Sequence, residues 1–216
     1  MAPTHARRES IPGAAVRAAR SNRVRIIGGQ WKRTPIEVME APGLRPTPDR
    51  VRETLFNWLG QGLDGMLCLD LFAGSGALGL EAASRGAKQV TLVEWRGDPC
   101  TRIRRLCERL GAQSVEVLEM DARRALAQFA RDWRRFDLVF LDPPFGERWL
   151  ERLWPLLPAV LAPAARVYVE AEATLTDLPA GFSIDRSARA GQVHYHLLSW
   201  SGREAASPDP ITQEER

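Results

Sequence analysis

Four acidic residues, Asp70, Glu94, Asp121 and Asp142, each stand at or just past the end of a short apolar run. Between the first two lies Gly74-Ser75-Gly76-Ala77-Leu78-Gly79, which formally matches the glycine pattern of dinucleotide sites. Gly74 and Gly76 fall where the chain turns sharply and a ligand can approach bare backbone, and Gly79 where a helix can press on a sheet. The glycines alone are a weak signal, and the residue before them discriminates better. A carboxylate at Asp70 repels a pyrophosphate and attracts a cation. S-adenosylmethionine carries a sulfonium and an ammonium and no phosphate, so the charges favour it over a nicotinamide dinucleotide.

The most specific short motif is Asp142-Pro143-Pro144-Phe145, directly after FDLVFL. Two prolines continue neither helix nor sheet, and Pro144 forces Pro143 into an extended conformation. A carboxylate, a fixed carbonyl and an aromatic face suit a planar base bearing an exocyclic amine. Asp142 and the Pro143 carbonyl each accept one amine hydrogen, while Phe145 stacks on the ring. The lone pair of such an amine is delocalised into the ring, so the nitrogen is a poor nucleophile. Accepting both hydrogens out of plane lets it pyramidalise, and Asp142 stabilises the charge that builds as a methyl group arrives. Of the other carboxylates, Glu94 suits the two ribose hydroxyls of an adenosine, Asp121 the adenine amine, and Asp70 the methionine part. Two plainer readings stand beside these: a strand-ending turn for DPPF, and a helix N-cap for Asp121.

The elements that must hold these residues alternate. Apolar runs at 67–72, 90–94, 115–120, 136–142 and 166–172 read as strands separated by helices over 77–85, 98–110 and 122–130 and by a helical stretch ending near Leu161. Such alternation implies parallel pairing and right-handed crossovers. Phe182–Arg186 and Val193–Trp200 follow without a helix, as an antiparallel pair should. The expectation is an α/β fold with a seven-stranded, mostly parallel sheet whose last strand is antiparallel. Before it, 23–30 and 34–39 read as a hairpin, and Thr47 as the cap of a helix with Pro48 in its first turn. That helix buries Val51, Leu55, Trp58 and Leu59 and carries Arg50, Arg52 and Glu53 on its polar side. The division expected is a basic, disordered arm over 1–22, a hairpin and helix over 23–62, the sheet domain over 63–202, and a disordered tail over 203–216.

The chain has 216 residues, 44% hydrophobic and 26% charged, with a net charge of only +3. Residues 1–35 nevertheless hold eight basic residues against one acid, Glu9, which suits phosphate contact. No run approaches a membrane span, and no secretory pattern is present, so the cytoplasm is the expected compartment. Cys68, Cys100 and Cys107 are odd in number and match no metal spacing, and His5, His194 and His196 form no ligand cluster. Reduced thiols and no metal are expected.

RIIGGQW at 25–31, GLRPTPDRVRETLFNWL at 43–59, DLFAGSGALGLEAASRGA at 70–87, DPPF at 142–145 and AGQVHYHL at 190–197 together resemble the bacterial 16S ribosomal RNA guanine(966)-N2 methyltransferases. The resemblance covers about 23–200, and the 43–59 block is its most specific part. It implies a Rossmann-like class I methyltransferase fold. S-adenosylmethionine would be held by Asp70, Phe72, Gly74, Ser75, Gly76 and Glu94, with Asp121 and Ala122 near the adenine. The quartet Asp142, Pro143, Pro144 and Phe145 would hold the target guanine. Arg45, Thr47 and Arg50, with Arg25 and Lys32, would meet RNA. The implied partner is 16S RNA in an assembling small subunit, its base swung out of the stack, and a monomer is expected. One departure is Arg96, since the family often has an acid two positions after the residue matching Glu94. The alternatives are a DNA adenine-N6 or cytosine-N4 methyltransferase, for which no insertion is large enough to be a target-recognition region, and a non-catalytic RNA-binding assembly factor on the same fold. An oxidoreductase leaves Asp70 and DPPF unexplained.

Overall fold

The structure, a computed structural model, describes residues 23–38 and 48–202. The expected arm and tail, Arg45 and Thr47 lie outside the described residues. Strands β1 (Arg23–Arg25) and β2 (Pro35–Glu37) pair antiparallel as the expected hairpin. Helix α1 (Asp49–Leu59) follows, with Pro48 at its N-cap position rather than inside its first turn. Seven strands then form one sheet: β3 (Leu67–Asp70), β4 (Gln89–Glu94), β5 (Val115–Glu119), β6 (Phe136–Leu141), β7 (Leu161–Ala171), β8 (Phe182–Ala190) and β9 (Val193–Trp200). Their spatial order is β5-β4-β3-β6-β7-β9-β8. β3 to β7 pair in parallel, and β9 runs antiparallel to both β7 and β8. The expected Rossmann-like sheet with an antiparallel last strand is present. Its winding reverses between β3 and β6, and in such sheets the crevice for a ligand opens there, beyond the carboxyl ends of the strands.

The period-2 alternation of the strands divides the interior into two cores. Cys68, Leu92, Phe140 and Tyr168 face α1, α2 (Ala77–Ser84) and α3 (Gly97–Leu110), whose Phe56, Leu80 and Ile103 fill that side. Leu69, Val93, Val139 and Val167 face α4 (Ala122–Arg131) through Leu126 and Phe129. Burial pushes the Cys68 thiol up to about 12, and all three cysteines are free thiols. No helix of the described residues is long and apolar enough to cross a membrane.

Two further expectations about elements are corrected. The helical stretch before β7 is only α5 (Trp149–Leu153) and a single 3-10 turn at Leu157–Ala159, and β7 starts at Leu161 instead of Arg166. Pro155 and Pro158 cannot continue a helix, and Leu161 pairs with Phe136 ahead of a register shift. The second correction concerns Arg52, which is fully buried rather than on the polar face of α1.

Arg52 belongs to a network that ties the hairpin and α1 to α2. Its Nη2 donates to the Arg25 carbonyl at 2.9 Å and to Asp49 Oδ1 at 2.6 Å, and its Nη1 lies 3.7 Å from Glu81 Oε2. Glu81, also fully buried, accepts the N–H groups of Ile27 at 2.6 Å and Gly28 at 2.8 Å, and Arg85 Nε at 2.8 Å. Ser84 Oγ accepts the Trp31 N–H at 2.9 Å and donates to the Gly28 carbonyl at 2.7 Å. The turn lies so close to α2 that a Cβ on Gly29 (φ 73°) would stand 1.8 Å from the Ser84 carbonyl oxygen. These contacts give the RIIGGQW and GLEAASR segments one shared task, docking the hairpin on the helix that follows the glycine turn.

Candidate active site

Asp70 closes β3 at the winding switch and is 1% exposed. Its Oδ2 accepts the Gly79 N–H at 3.0 Å, while Oδ1 is buried without a hydrogen-bond partner among the described residues. Burial pushes its pKa up to about 7; the Gly79 and Phe72 amides pull it down, and the Glu94 charge adds to the rise. The turn beyond it needs its glycines: Gly74 has φ 53° and Gly76, the N-cap residue of α2, has φ 81°. Gly79 is required by packing, because a Cβ there would come 2.0 Å from Leu92 Cδ2 on β4.

Glu94 ends β4 and is 6% exposed. Oε2 accepts the Gly74 N–H at 3.0 Å, and Oε1 accepts both the backbone N–H and the Nε of Arg96, each at 3.0 Å. The carboxylate therefore fastens the glycine turn, and the unexpected Arg96 is its ion-pair partner. Asp121 is the N-cap of α4: Oδ1 accepts from the Arg123 and Arg124 amides at 3.0 and 3.1 Å, so the capping geometry is present, leaving Oδ2 for anything further. Ala122 begins that helix in the core.

Asp142 follows the last residue of β6, with Pro143 buried beside it and Pro144 exposed. Phe145 is 46% exposed, its ring available for stacking. Gly146 (φ 81°) completes the turn, its N–H donating to Glu172 Oε1. On β7, next to β6, the buried Tyr168 hydroxyl donates to Glu170 Oε1 at 2.8 Å. Burial first, then the Glu170 and Asp142 charges, hold the phenol well above its usual range. Asp142 thus lies close enough to this pair to be felt by it, a link no spacing argument had suggested.

Asp70, Phe72, Gly74, Ser75, Asp98 and Asp142 line one cleft of about 750 Å³, closed on its far side by β2 and α3. The glycine turn and the DPPF carboxylate are brought together; Glu94 and Asp121 lie outside the lining. Arg25, Lys32 and Arg50 do not line it either: Arg25 pairs with Asp49 at 3.2 Å, and Lys32 and Arg50 are exposed on the hairpin turn and the first turn of α1. α3 contributes what the sequence reading passed over, Arg102, Arg105 and Arg109, although their i, i+3, i+7 spacing was visible.

S-adenosylmethionine fits this floor. A buried carboxyl oxygen without a partner beside a second carboxylate suits cationic groups and disfavours a pyrophosphate. No Cβ stands over Gly74, around which a side chain would meet nothing closer than 3.9 Å, leaving room for close approach to backbone.

A family model described as conserved hypothetical protein 95 matches residues 24–199. The ribosomal RNA small subunit methyltransferase D of Escherichia coli strain K12 is 45% identical over 193 residues, 88% of this chain and 96% of that protein. The Haemophilus influenzae protein of the same name is 39% identical over 179 residues, 81% of this chain and 92% of its own length. A solved Escherichia coli structure, of the protein yhhF, provisionally described as a methyltransferase, is 44% identical with a TM-score of 0.75, covering 84% of this chain and 99% of that one.

Proposed function

The chain belongs to the conserved hypothetical protein 95 family, and we propose that it is the S-adenosylmethionine-dependent methyltransferase that modifies the N2 amine of a guanine in 16S ribosomal RNA. Methylation of small-subunit ribosomal RNA rests on the relatives' activity together with one structural observation. The DPPF carboxylate and the glycine turn open into a single cleft at the winding switch of the sheet. The guanine and its N2 position rest on the amine chemistry of DPPF and the family resemblance.

S-adenosylmethionine, when bound, supplies a methyl group on a sulfonium. Asp70 offers its unpartnered oxygen to the positive part of the cofactor, and Gly74 and Ser75 offer bare backbone. Glu94 fixes the glycine turn and carries the ribose role, and Asp121 the adenine role through its second oxygen. Asp142 and the Pro143 carbonyl accept the two amine hydrogens, which turns the nitrogen lone pair out of the ring plane. The charge that develops is stabilised by Asp142, which takes the proton or passes it to water. Phe145 stacks on the base and, with Pro143 and Pro144, fixes its angle of approach. The enzyme is taken to work as a cytoplasmic monomer on an assembling small subunit, with the target base swung out of its stack.

The test is incubation of the purified protein and labelled S-adenosylmethionine with small-subunit particles from cells lacking the enzyme, followed by mass-spectrometric mapping. Label on the N2 of one guanine in 16S RNA is the expected result. Label on another base or atom overturns the guanine-N2 assignment, and label on DNA alone overturns the RNA reading.

A further inference from the structure

The cleft has two electrical halves. Its floor holds Asp70 and Asp142, suited to a cationic ligand, whereas its α3 wall, beyond Asp98 in the first turn, carries Arg102, Arg105 and Arg109 with Glu108 as the one acid among them. At i, i+3 and i+7 these three share one helix face and span about 10 Å at the helical rise of 1.5 Å per residue. Arg102 is anchored across the cleft to Glu37 of β2 at 3.0 Å. Arg105 and Arg109 are exposed and have no hydrogen-bond or ion-pair partner among the described residues. Their neighbour Arg104 points the other way, donating to the Val117 carbonyl at 3.1 Å and lying 4.0 Å from Glu119. Arg109, in the last turn, also complements the helix dipole, but Arg105 has no such explanation, and Glu108 beside them offsets only part of the charge. An amine-bearing base and a cation need carboxylates, not arginines. The group in such a substrate that does need them is the phosphodiester on either side of the base.

We propose that Arg105 and Arg109, with Arg102 as the anchored end of the row, form the wall that holds the phosphates of the RNA strand next to the nucleotide entering the cleft. This rests on the RNA methylation reading and adds the path of the strand to it: along α3, between that helix and β2, toward Asp142. Phosphate contacts of this kind carry affinity and salt dependence without reading sequence.

The test compares the full-length wild type with Arg105→Ala/Arg109→Ala, by fluorescence anisotropy with a fluorescein-labelled single-stranded RNA over a salt series. S-adenosylmethionine affinity by calorimetry and the circular dichroism melt are measured alongside. Expected are roughly tenfold weaker RNA binding at moderate salt and a log K against log salt slope shallower by about 1.4, two contacts at about 0.7 each, with cofactor affinity and melt unchanged. Equal RNA affinity and slope in both proteins overturn the proposal, as does a loss of cofactor affinity as large as the loss of RNA affinity, which would make the arginines part of the cofactor pocket. An effect equally strong with an acidic peptide in place of RNA overturns it in favour of a protein partner. If the double variant destabilises the fold, Arg105→Gln and Arg109→Gln singly carry the same comparison, each with half the change in slope. Should the variant show the expected loss of RNA affinity and slope while the wild type labels no small-subunit particle, the methylation reading fails while the arginine wall stands.

Discussion

Asp70 Oδ2 accepts the N–H of Gly79 at 3.0 Å, so the carboxyl best placed to meet a cation in the cleft also fastens β3 to α2. The two tasks use different oxygens, since Oδ1 is left without a hydrogen-bond partner. Fold and the proposed cofactor site therefore share one buried carboxyl group.

Burial raises the Asp70 pKa from 3.8 to about 7, which fixes the sign of a pH effect. A raised carboxyl favours the folded state while protonated. Its contribution is fully present below pH 3.8 and is lost as pH rises through about 7, by up to about 4 kcal/mol at about 1.36 kcal/mol per unit. Asp70→Asn keeps an acceptor for Gly79 and removes the titration. The variant is expected to gain stability relative to wild type as pH rises toward 7 and to level off above it, measured by urea unfolding across pH. Cofactor binding should run the opposite way in wild type, tightening as Asp70 ionises. A wild-type-to-variant difference that stays flat with pH would refute the titration.

Gly79→Ala tests packing against propensity. Alanine in a helix is favoured over glycine by about 1 kcal/mol, but its Cβ would stand 2.0 Å from Leu92 Cδ2, 3.2 Å from Val90 Cγ1 and 3.3 Å from the Asp70 Cβ. Overpacking of this kind costs about 1–3 kcal/mol, so net destabilisation is expected. Leu92→Ala in the same chain should return part of it, and strict additivity of the two changes would remove the steric account.

The sheet, the glycine turn and the end of each parallel strand were legible because each leaves a local mark: alternating apolar runs, Gly74 and Gly76 at positive φ, and an acid at the strand end. Arg52 was not. Period-3.6 reading places it among polar residues, and only the arrival of Glu81 and the Arg25 carbonyl from distant sequence lets a guanidinium sit in the core. The Glu94 contacts were hidden for the same reason, since a residue at a strand end can face ligand, loop or cation, and Arg96 and the Gly74 amide are what it meets. For Asp121 the sequence allowed both a helix cap and a place near an adenine, and the capping geometry is what the helix start provides.

Glu81→Gln probes the network that docks the hairpin. The native carboxylate accepts two backbone amides and Arg85 Nε and faces the Arg52 guanidinium, all in the core. A glutamine presents one accepting oxygen and turns N–H toward donors, leaving Asp49 as the remaining counter-charge of the buried Arg52. A loss of about 3–5 kcal/mol is expected in denaturant unfolding, against almost none for Glu53→Gln on the exposed face of α1. Equal effects of the two substitutions would show that Glu81 does not hold the hairpin.

Asp142 is assigned the charge that develops on the amine, and Asp142→Ala and Asp142→Asn separate its two contributions. Alanine removes both the hydrogen-bond acceptor and the negative charge, and the single-turnover methylation rate should fall by about 10²–10³, the range seen when one preorganised electrostatic partner is lost. Asparagine retains an acceptor for one amine hydrogen but cannot balance a cation or take a proton. Its rate should therefore lie nearer alanine than wild type. Calorimetry with S-adenosylmethionine should give nearly the same affinity for both variants, because the cofactor's positive part is assigned to Asp70 at the end of the neighbouring strand. A rate for Asp142→Asn equal to wild type would show that the carboxylate's charge is not needed, leaving hydrogen-bond acceptance and the rigid Pro143-Pro144 turn to activate the nitrogen.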